Sequence, residues 1–182
     1  HLNIEPVSDS EPGYLDLLRD VRSALGPSFF ISHATRPAGL WGVSFGDLKQ
    51  HLWSREFYRL TMEQTNQTVV MAYNTRLRQE MVYTAFVEHQ TGLLVDWSCG
   101  LPDHHVLIGI PAYEHAPGYS DPGTENIRTA SRGIRSALNH RGDTVTCFDG
   151  VSVYAYWTTD SSEWADFRIH WIGSRPPQLR GI

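Results

Sequence analysis

A small group of polar and aromatic residues follows directly after short apolar segments of this chain. Carboxyl groups can transfer protons, and the rings of tyrosine and tryptophan combine a flat apolar surface with one polar atom. The group joins carboxyl groups and aromatic rings with few cations, a combination typical of a site that binds sugars. Its members are Glu5, His33, Tyr73, Asn74, Tyr113, Glu114, Tyr156 and Trp157.

The apolar segments before these residues predict the strands of a parallel sheet. A stretch long enough for a helix separates each segment from the next, and a parallel return requires such a crossover. Functional residues of parallel sheets lie at the carboxyl ends of the strands, so we expect the group to meet at one edge of the sheet. The segments are residues 2–5, 29–33, 69–74, 106–111 and 151–157.

Apolar residues between the strands recur at helical spacing and predict five helices. The predicted helices are residues 14–25, 47–65, 76–97, 124–138 and 161–171. Gly92 is predicted to interrupt the third helix, and residues 174–182 are predicted to form a loose tail. No linker or internal repeat divides the chain, so residues 1–182 are expected to form a single domain.

The composition is that of an ordinary globular domain. The chain has 182 residues, of which 41% are hydrophobic, which suffices for one sizeable core. The net charge is −5 and no basic stripe stands out, so nucleic acid is not an expected partner. No stretch approaches the length of a membrane span, and no glycine-rich phosphate loop is present, so no cofactor is predicted.

The histidines and cysteines do not predict a metal site. His89, His104 and His105 lie on a predicted helix or before a predicted strand, and not at converging strand ends. Cys99 and Cys147 fit no metal-binding spacing. We interpret the two cysteines as buried thiols in preference to a disulfide.

Four of the predicted strand ends carry short motifs in a particular order. Residues 1–5 read His-Leu-Asn-Ile-Glu, residues 71–74 read Met-Ala-Tyr-Asn, residues 109–113 read Gly-Ile-Pro-Ala-Tyr, and residues 150–157 end in Tyr-Trp. They resemble the motifs Asp-x-Asp-x-Glu, Met-x-Tyr-Asp and Gly-x-Pro-x-Tyr and the last-strand aromatic of the chitinase-like glycoside hydrolases of family eighteen. The resemblance covers most of the chain and is closest to a divergent bacterial branch of that family.

The resemblance implies an α/β protein of the (β/α)8 TIM-barrel type, truncated to strands four to eight. It implies that Glu5 is the general acid/base, that Asn3 and Tyr73 position the reacting sugar, and that Trp157 stacks beneath it. The implied activity is hydrolysis of a hexosamine-containing polysaccharide with retention of configuration, in a secreted or cell-envelope protein. The further predicted substrate-binding residues are Asn74, Tyr113, His33 and Glu114.

Three residues depart from the family pattern. His1, Asn3 and Asn74 stand where the family has aspartates. An amide can hydrogen-bond an acetamido group, but it cannot take up charge as a carboxylate does. The alternative function is therefore a catalytically inactive carbohydrate-binding or scaffold protein on the same fold. Asp160 and Glu114 are the nearest other carboxylates by strand-end position.

The candidate residues also have structural alternatives. Glu5 can anchor a loop, Tyr73 and Trp157 can pack at the edge of a core, and a lone histidine such as His33 is more often structural. A third fold hypothesis is an open flavodoxin-like sheet without sugar chemistry, although the phosphate-binding first loop of such folds is missing.

A barrel truncated in this way would expose two sheet edges and one apolar face. We therefore expect either a missing N-terminal barrel half or a partner chain that closes the sheet.

Overall fold

The computed structural model of the protein describes residues 1–39, 52–101, 103–113 and 121–173, without the side chains of residues 143–145. The predicted tail at 174–182 and the candidate Glu114 lie outside the described residues. The order of elements confirms the predicted α/β class. The elements are α1 Pro12–Leu25, β1 Ser32–Thr35, α2 Arg55–Met62, β2 Gln67–Met71, α3 Glu80–Ser98, β3 His105–Pro111, α4 Ile127–Asn139, a 3-10 segment Gly142–Cys147, β4 Phe148–Tyr154, α5 Ser161–Phe167 and a π-helical turn Arg168–Ile172.

The four strands form a parallel sheet in the order β1-β2-β3-β4. The predicted first strand at residues 2–5 is reduced to a single bridge beside β1, in which the Leu2 N–H donates to the Ser32 carbonyl at 2.8 Å and the Leu2 carbonyl accepts from the Ala34 N–H at 2.9 Å. The order in space is therefore the order in the chain. Right-handed crossovers between strands in this order all lie on the same side of the sheet.

One face of the sheet, the helix face, carries the core. Val106, Ile108 and Ile110 alternate along β3 and are fully buried, whereas Leu107 between them is half-buried on the opposite face, called here the far face. The helix-face residues join a core cluster with apolar side chains of α3 and α4. These include Val87, Leu94, Val95, Ile134 and Leu138.

Helices α3 and α4 approach each other closely at a glycine. A Cβ atom built on Gly133 would lie 2.5 Å from the Thr84 carbonyl oxygen and 3.0 Å from the Glu88 backbone nitrogen. The backbone of α3 therefore leaves no room for a side chain at position 133. Gly92 lies inside α3, packs against the Arg141 guanidinium and does not interrupt the helix, contrary to the prediction.

Four elements begin later than the sequence predicts, and one of them is α4, which begins at Ile127 and not at residue 124. Strand β1 begins at Ser32, and Phe29 and Phe30 before it are exposed. Helix α2 begins only at Arg55, because the Ser54 side chain caps it by accepting the Phe57 N–H at 3.2 Å. Helix α3 begins at Glu80, because the left-handed φ of Arg76 (61°) stops a helix from passing through that residue.

The interpretation of the cysteines as free thiols was wrong. Cys99 and Cys147 form a disulfide between the end of α3 and the start of β4, with a Cα–Cα distance of 5.2 Å. The bridge closes a loop across a sequence separation of 48 residues. In the chain-entropy account, such a loop destabilises the unfolded state by about 4 kcal/mol.

No helix among the described residues is both long and apolar enough to cross a bilayer.

A chain of buried polar side chains runs through the helix face of the sheet. Tyr14 Oη lies 3.0 Å from His33 Nδ1, and His33 Nε2 lies 3.2 Å from Thr68 Oγ1. Thr68 Oγ1 lies 3.0 Å from His104 Nε2, and His104 Nδ1 lies 3.2 Å from the Thr65 carbonyl oxygen. Because a carbonyl only accepts, His104 carries its proton on Nδ1, Thr68 donates to His104, and His33 donates to Thr68. Both histidines are neutral in this arrangement.

We predict that these two histidines make the fold sensitive to mild acid. Burial lowers the pKa of His33 to about 3 and that of His104 to about 4. The unfolded chain, with histidine pKa values near 6.5, therefore binds more protons than the native protein below that pH. The stability present above about pH 6.5 is lost as the pH falls, by up to about 2.7 kcal/mol per pH unit for the pair.

Urea unfolding at steps from about pH 7 to about pH 4.5 measures this loss, and imidazole NMR shifts identify its origin. The resonances of His33 and His104 should change little down to about pH 5 in the native protein and should move with a midpoint near pH 6.5 in the urea-unfolded chain. Movement of both resonances in the native protein near pH 6.5 would contradict the prediction.

We also predict that Gly133→Ala destabilises the protein by about 1–3 kcal/mol through overpacking against α3. In an exposed helix the same change is stabilising by about 1 kcal/mol, so the sign reports the close contact. Ser136→Ala, at a half-buried position of the same helix, is the control and should change the free energy of unfolding by less than about 0.5 kcal/mol. A stabilised Gly133→Ala protein would show that the helices do not touch there.

Candidate functional site

The N-terminal segment places its polar residues on the far face of the sheet. Leu2 pairs with His33, which is a helix-face residue, so the alternation of side chains places His1 and Asn3 on the opposite face. His1 confirms this placement, because its Nδ1 lies 2.9 Å from Oγ of the far-face residue Ser32. Asn3 and Glu5 are both exposed.

A row of polar side chains crosses the far face near the amino ends of the strands. Ser32 Oγ donates to Gln67 Oε1 at 2.8 Å, and Gln67 is in register with His105 on β3. His105 Nδ1 lies 2.8 Å from a carboxylate oxygen of Asp149. The strand register shifts at Val106 and Leu107, opposite Asp149, so that Phe148 and Gly150 pair with these consecutive residues. The far face is thus polar near the amino ends of the strands. Two residues further along each strand it carries the apolar side chains of Ala34, Val69 and Leu107.

Tyr73 is the central residue at the carboxyl edge of this face. Its ring lies over Gly109, where a Cβ atom would come within 3.0 Å of Tyr73 Cε1 and also of the Val70 carbonyl oxygen. The ring stacks on Tyr154, the last residue of β4, with ring centroids 4.4 Å apart and planes inclined by 5°. Glycine at position 109 is therefore what lets the Tyr73 ring lie flat across the sheet.

Glu5 lies near enough to Tyr73 to affect its ionisation. Burial is the main reason that the pKa of Tyr73 is well above its usual value, and the neighbouring Tyr154 and the carboxylate of Glu5 raise it further. Tyr73 therefore keeps its proton at neutral pH and can donate a hydrogen bond. The carboxylate that the sequence proposes as the acid thus acts electrostatically on the tyrosine that it proposes as a positioning group.

The aromatic surface continues beyond Tyr154. The Tyr154 and Trp157 rings lie 6.0 Å apart at 75°, and the Trp157 and Tyr156 rings lie 6.2 Å apart at 86°. Tyr154 is 37% exposed, and Tyr156 and Trp157 are each 72% exposed. Trp157 thus contacts Tyr154, and Tyr154 is the aromatic residue of β4 that stacks directly on Tyr73.

The segment that carries Tyr73 is held on both sides. Before it, the Ala72 carbonyl accepts a hydrogen bond of 2.8 Å from the buried Tyr83 hydroxyl. After it, the Asn74 N–H donates to the Tyr113 hydroxyl at 3.2 Å. Asn74 has a left-handed φ of 56°, which asparagine tolerates better than most residues. The predicted substrate-binding residue Tyr113 therefore uses its hydroxyl to fix the backbone beside Tyr73.

A buried glutamate completes this arrangement. Glu125 is 1% exposed, and its Oε2 accepts a hydrogen bond of 2.6 Å from the Tyr113 hydroxyl. Its Oε1 accepts from the Thr75 N–H at 3.0 Å and from the Thr75 hydroxyl at 2.7 Å. Burial and the hydrogen bond to Glu125 raise the pKa of Tyr113 well above its usual value, so Tyr113 stays a donor.

Two other candidates lie apart from this site. His33 is fully buried on the helix face, and both of its ring nitrogens bond to core side chains, so it does not reach the strand-end edge. Asp160 caps α5, where its carboxylate accepts the N–H groups of Ser162 and Glu163 at 2.8 and 2.9 Å. Neither residue contributes to the cluster around Tyr73.

A groove of about 640 Å³ lies beside Tyr113, between the beginnings of α4 and α5. Its lining includes three acids and two basic side chains, namely Asp160, Glu163, Asp166, Arg128 and His170. Among the residues that the structure describes, no three His, Cys, Asp or Glu side chains group as a metal site would require.

Tyr154 and Glu125 are the residues that sequence reasoning missed. Tyr154 is in register with Pro111, next to the predicted Tyr113, and its position at the end of an alternating strand was a usable signal. Glu125 directly precedes Asn126, the N-cap of α4, a position where the helix start alone accounts for an acidic residue. Its burial under Tyr113 depends on the packing of α4, which no local pattern reveals.

Comparison of the chain with protein-family models, with curated proteins and with solved structures finds no match in any of the three.

We predict that the Tyr73 and Tyr154 rings are energetically coupled by about 0.5–1.5 kcal/mol. A double-mutant cycle of Tyr73→Leu and Tyr154→Leu, measured by urea unfolding, gives this coupling directly. A cycle of Tyr154→Leu with Phe29→Leu is the control. Phe29 precedes the amino end of edge strand β1, whereas Tyr154 lies at the carboxyl end of the opposite edge strand, β4. Equal coupling in the two cycles would mean that the stacked pair does not form.

Proposed function

We propose that this chain forms the later units of a chitinase-like (β/α) barrel and hydrolyses a hexosamine-containing polysaccharide at the carboxyl ends of its strands. The strand order supports the barrel. Doubly wound sheets reverse their order at a switch point, whereas the described strands and the N-terminal segment follow one another in chain order. The far face would then be the interior of the barrel, with Tyr73 at its mouth.

The surroundings of Tyr73 carry the proposal, because its ring stacks on Tyr154 and its pKa is raised in part by the carboxylate of Glu5. A protonated phenol and a flat aromatic surface lie together at the edge where parallel sheets perform chemistry, and a carboxyl group acts on the phenol electrostatically. These are the groups needed to protonate a leaving oxygen, to hold the reacting sugar and to support its apolar face. Such a combination is not required by the packing of the core, which lies on the other face.

In this mechanism Glu5 protonates the glycosidic oxygen as the bond between that oxygen and the anomeric carbon breaks. The acetamido oxygen of the same sugar attacks the anomeric carbon, held in place by the Tyr73 hydroxyl and the Asn3 amide. Glu5, now a carboxylate, takes a proton from the water that opens the resulting ring. Two inversions at the anomeric carbon give net retention.

The aromatic residues of β4 suit the sugar platform. Tyr154 lies directly beside Tyr73, and Trp157 extends the apolar surface outward. We therefore assign the place beneath the reacting sugar to Tyr154 and a neighbouring place to Trp157, which keeps its predicted role in binding.

The second candidate function is carbohydrate binding without catalysis. Asn3 stands where the resembling family has an aspartate, and an amide cannot take up charge on the acetamido group. Glu5 is exposed in the described structure, whereas a general acid is normally held in an apolar pocket. Both observations favour a binding protein that has kept the sugar site and lost turnover.

The disulfide supports a location outside the cytoplasm for either function. Stable disulfides form in oxidising compartments and are rare in the cytosol. The Cys99–Cys147 bridge therefore agrees with a secreted or cell-envelope protein, as the family resemblance implies.

We predict that Glu5→Gln lowers the rate of hydrolysis of N-acetylglucosamine oligomers by about 10²–10⁴-fold, because glutamine cannot donate the proton. The affinity for the oligomers should remain within about threefold, since the amide keeps the shape of the carboxyl group. Chromogenic release measures the rate, and calorimetry measures the binding. Glu63→Gln, an exposed carboxylate change on α2, is the matched control and should alter neither.

The outcomes separate the two functions. Binding of the oligomers without turnover by either the original protein or Glu5→Gln would support the binding protein. Equal turnover by both would overturn the role of Glu5, and absence of both binding and turnover would overturn the proposed function.

A further inference from the structure

We infer that Glu125, which does not reach the sugar site itself, is the positioning residue that fixes Tyr73 for binding. This inference rests on the proposed function for what Tyr73 binds, but its structural part stands on contacts within the chain. Glu125 is separated from Tyr73 by 52 positions in sequence and lies just before α4, on a different unit of the fold.

The Glu125 carboxylate is buried among hydrogen-bond donors. Glu125 is 1% exposed, and a carboxylate buried to that extent is unfavourable unless hydrogen bonds replace its water. Three donors do so, namely the Thr75 N–H, the Thr75 hydroxyl and the Tyr113 hydroxyl. All three belong to the connections that leave the carboxyl ends of β2 and β3, so the charge of Glu125 holds these two connections together.

The backbone that Glu125 holds, residues 74–76, has an uncommon conformation. Asn74 and Arg76 both have left-handed φ values, of 56° and 61°, in the segment that follows Tyr73. Such conformations persist only where the surroundings determine them. The Asn74 N–H donates to the same Tyr113 hydroxyl that donates to Glu125, and the Thr75 hydroxyl accepts the Leu77 N–H at 3.2 Å. Glu125 is therefore the common acceptor on which this backbone conformation depends.

The segment held by Glu125 adjoins the proposed sugar site through Tyr73. Tyr73 immediately precedes the held segment, and Ala72 on its other side is fixed by Tyr83. With both neighbours fixed, the Tyr73 ring lies flat over Gly109 and against Tyr154. Release of Asn74 and Thr75 would free Tyr73 to turn away from Glu5 and from Tyr154, without disturbing the helix-face core.

The test combines a local structural measurement with a binding measurement on the full chain. Glu125→Gln keeps one carbonyl acceptor but presents an N–H₂ group in place of the second carboxylate oxygen, and Tyr113→Phe removes one bond only. Hydrogen exchange of the Asn74 and Thr75 amides, followed by NMR, should become about tenfold or more faster in Glu125→Gln. The amides of α4 should keep their protection, which separates local release from unfolding.

Affinity for N-acetylglucosamine oligomers should fall about tenfold in Glu125→Gln and by less in Tyr113→Phe. Glu80→Gln is the matched control, because the Glu80 carboxylate lies at the start of α3, is 41% exposed and pairs with Arg128. It should change neither the exchange of residues 74 and 75 nor the affinity.

Each result has a distinct meaning. Unchanged exchange at residues 74 and 75 in Glu125→Gln would overturn the inference, and so would faster exchange with undiminished sugar affinity. Failure of the original protein to bind the oligomers would overturn the proposed function instead, while the exchange measurement would still decide whether Glu125 holds the Tyr73 segment.

Discussion

Parallel pairing of strands in chain order is the constraint on which the rest of this structure depends. Every strand must return across the helix face before the next begins, so every carboxyl end reaches the same edge of the sheet. The N-terminal segment joins the sheet through two backbone hydrogen bonds of Leu2 beside β1, three residues before Glu5. Without this pairing, Glu5, Tyr73 and Tyr154 would have no fixed relation, because they come from opposite ends and the middle of the chain.

Hydrogen bonds of buried polar groups fix the helices and connections relative to the parallel sheet. Gln90, fully buried in α3, accepts the Ala38 N–H at 2.6 Å and donates to the Ala38 carbonyl at 2.9 Å, which ties the loop after β1 to the helix. The chain from Tyr14 to His104 joins α1 to the first strands, and Glu125 joins the connections after β2 and β3. Each of these groups would be costly to bury with its partners displaced, so each favours one arrangement of its neighbours.

Much of the fold could be predicted because its strands are nearly continuous apolar runs. Strand β3 has almost the predicted bounds, whereas β2, at Gln67–Met71, lies two to three residues earlier than predicted, and the order of the strands along the chain gives the α/β class. The starts of α2 and α3 were misplaced because a serine cap and a left-handed residue override helical periodicity. The disulfide was missed because its pairing depends on how α3 meets β4.

The candidate site was predictable only where the chain is locally regular. Tyr73 follows a buried strand and was found from that position. Tyr154 and Trp157 lie three residues apart, and only the register of β4 shows which of them stacks on Tyr73. Glu125 carries no local sign of its role, since its burial results from the docking of α4 against the sheet.

The Cys99–Cys147 bridge encloses β3 and α4 in a covalent ring. A protease that cuts once within this ring cannot release a fragment, because both new ends remain connected through the sulfur atoms. Helices α3 and α4 would stay tethered to each other after such a cut. The bridge thus keeps the packed helices together after a cut in the connection between β3 and α4, a break that would otherwise let part of the domain separate.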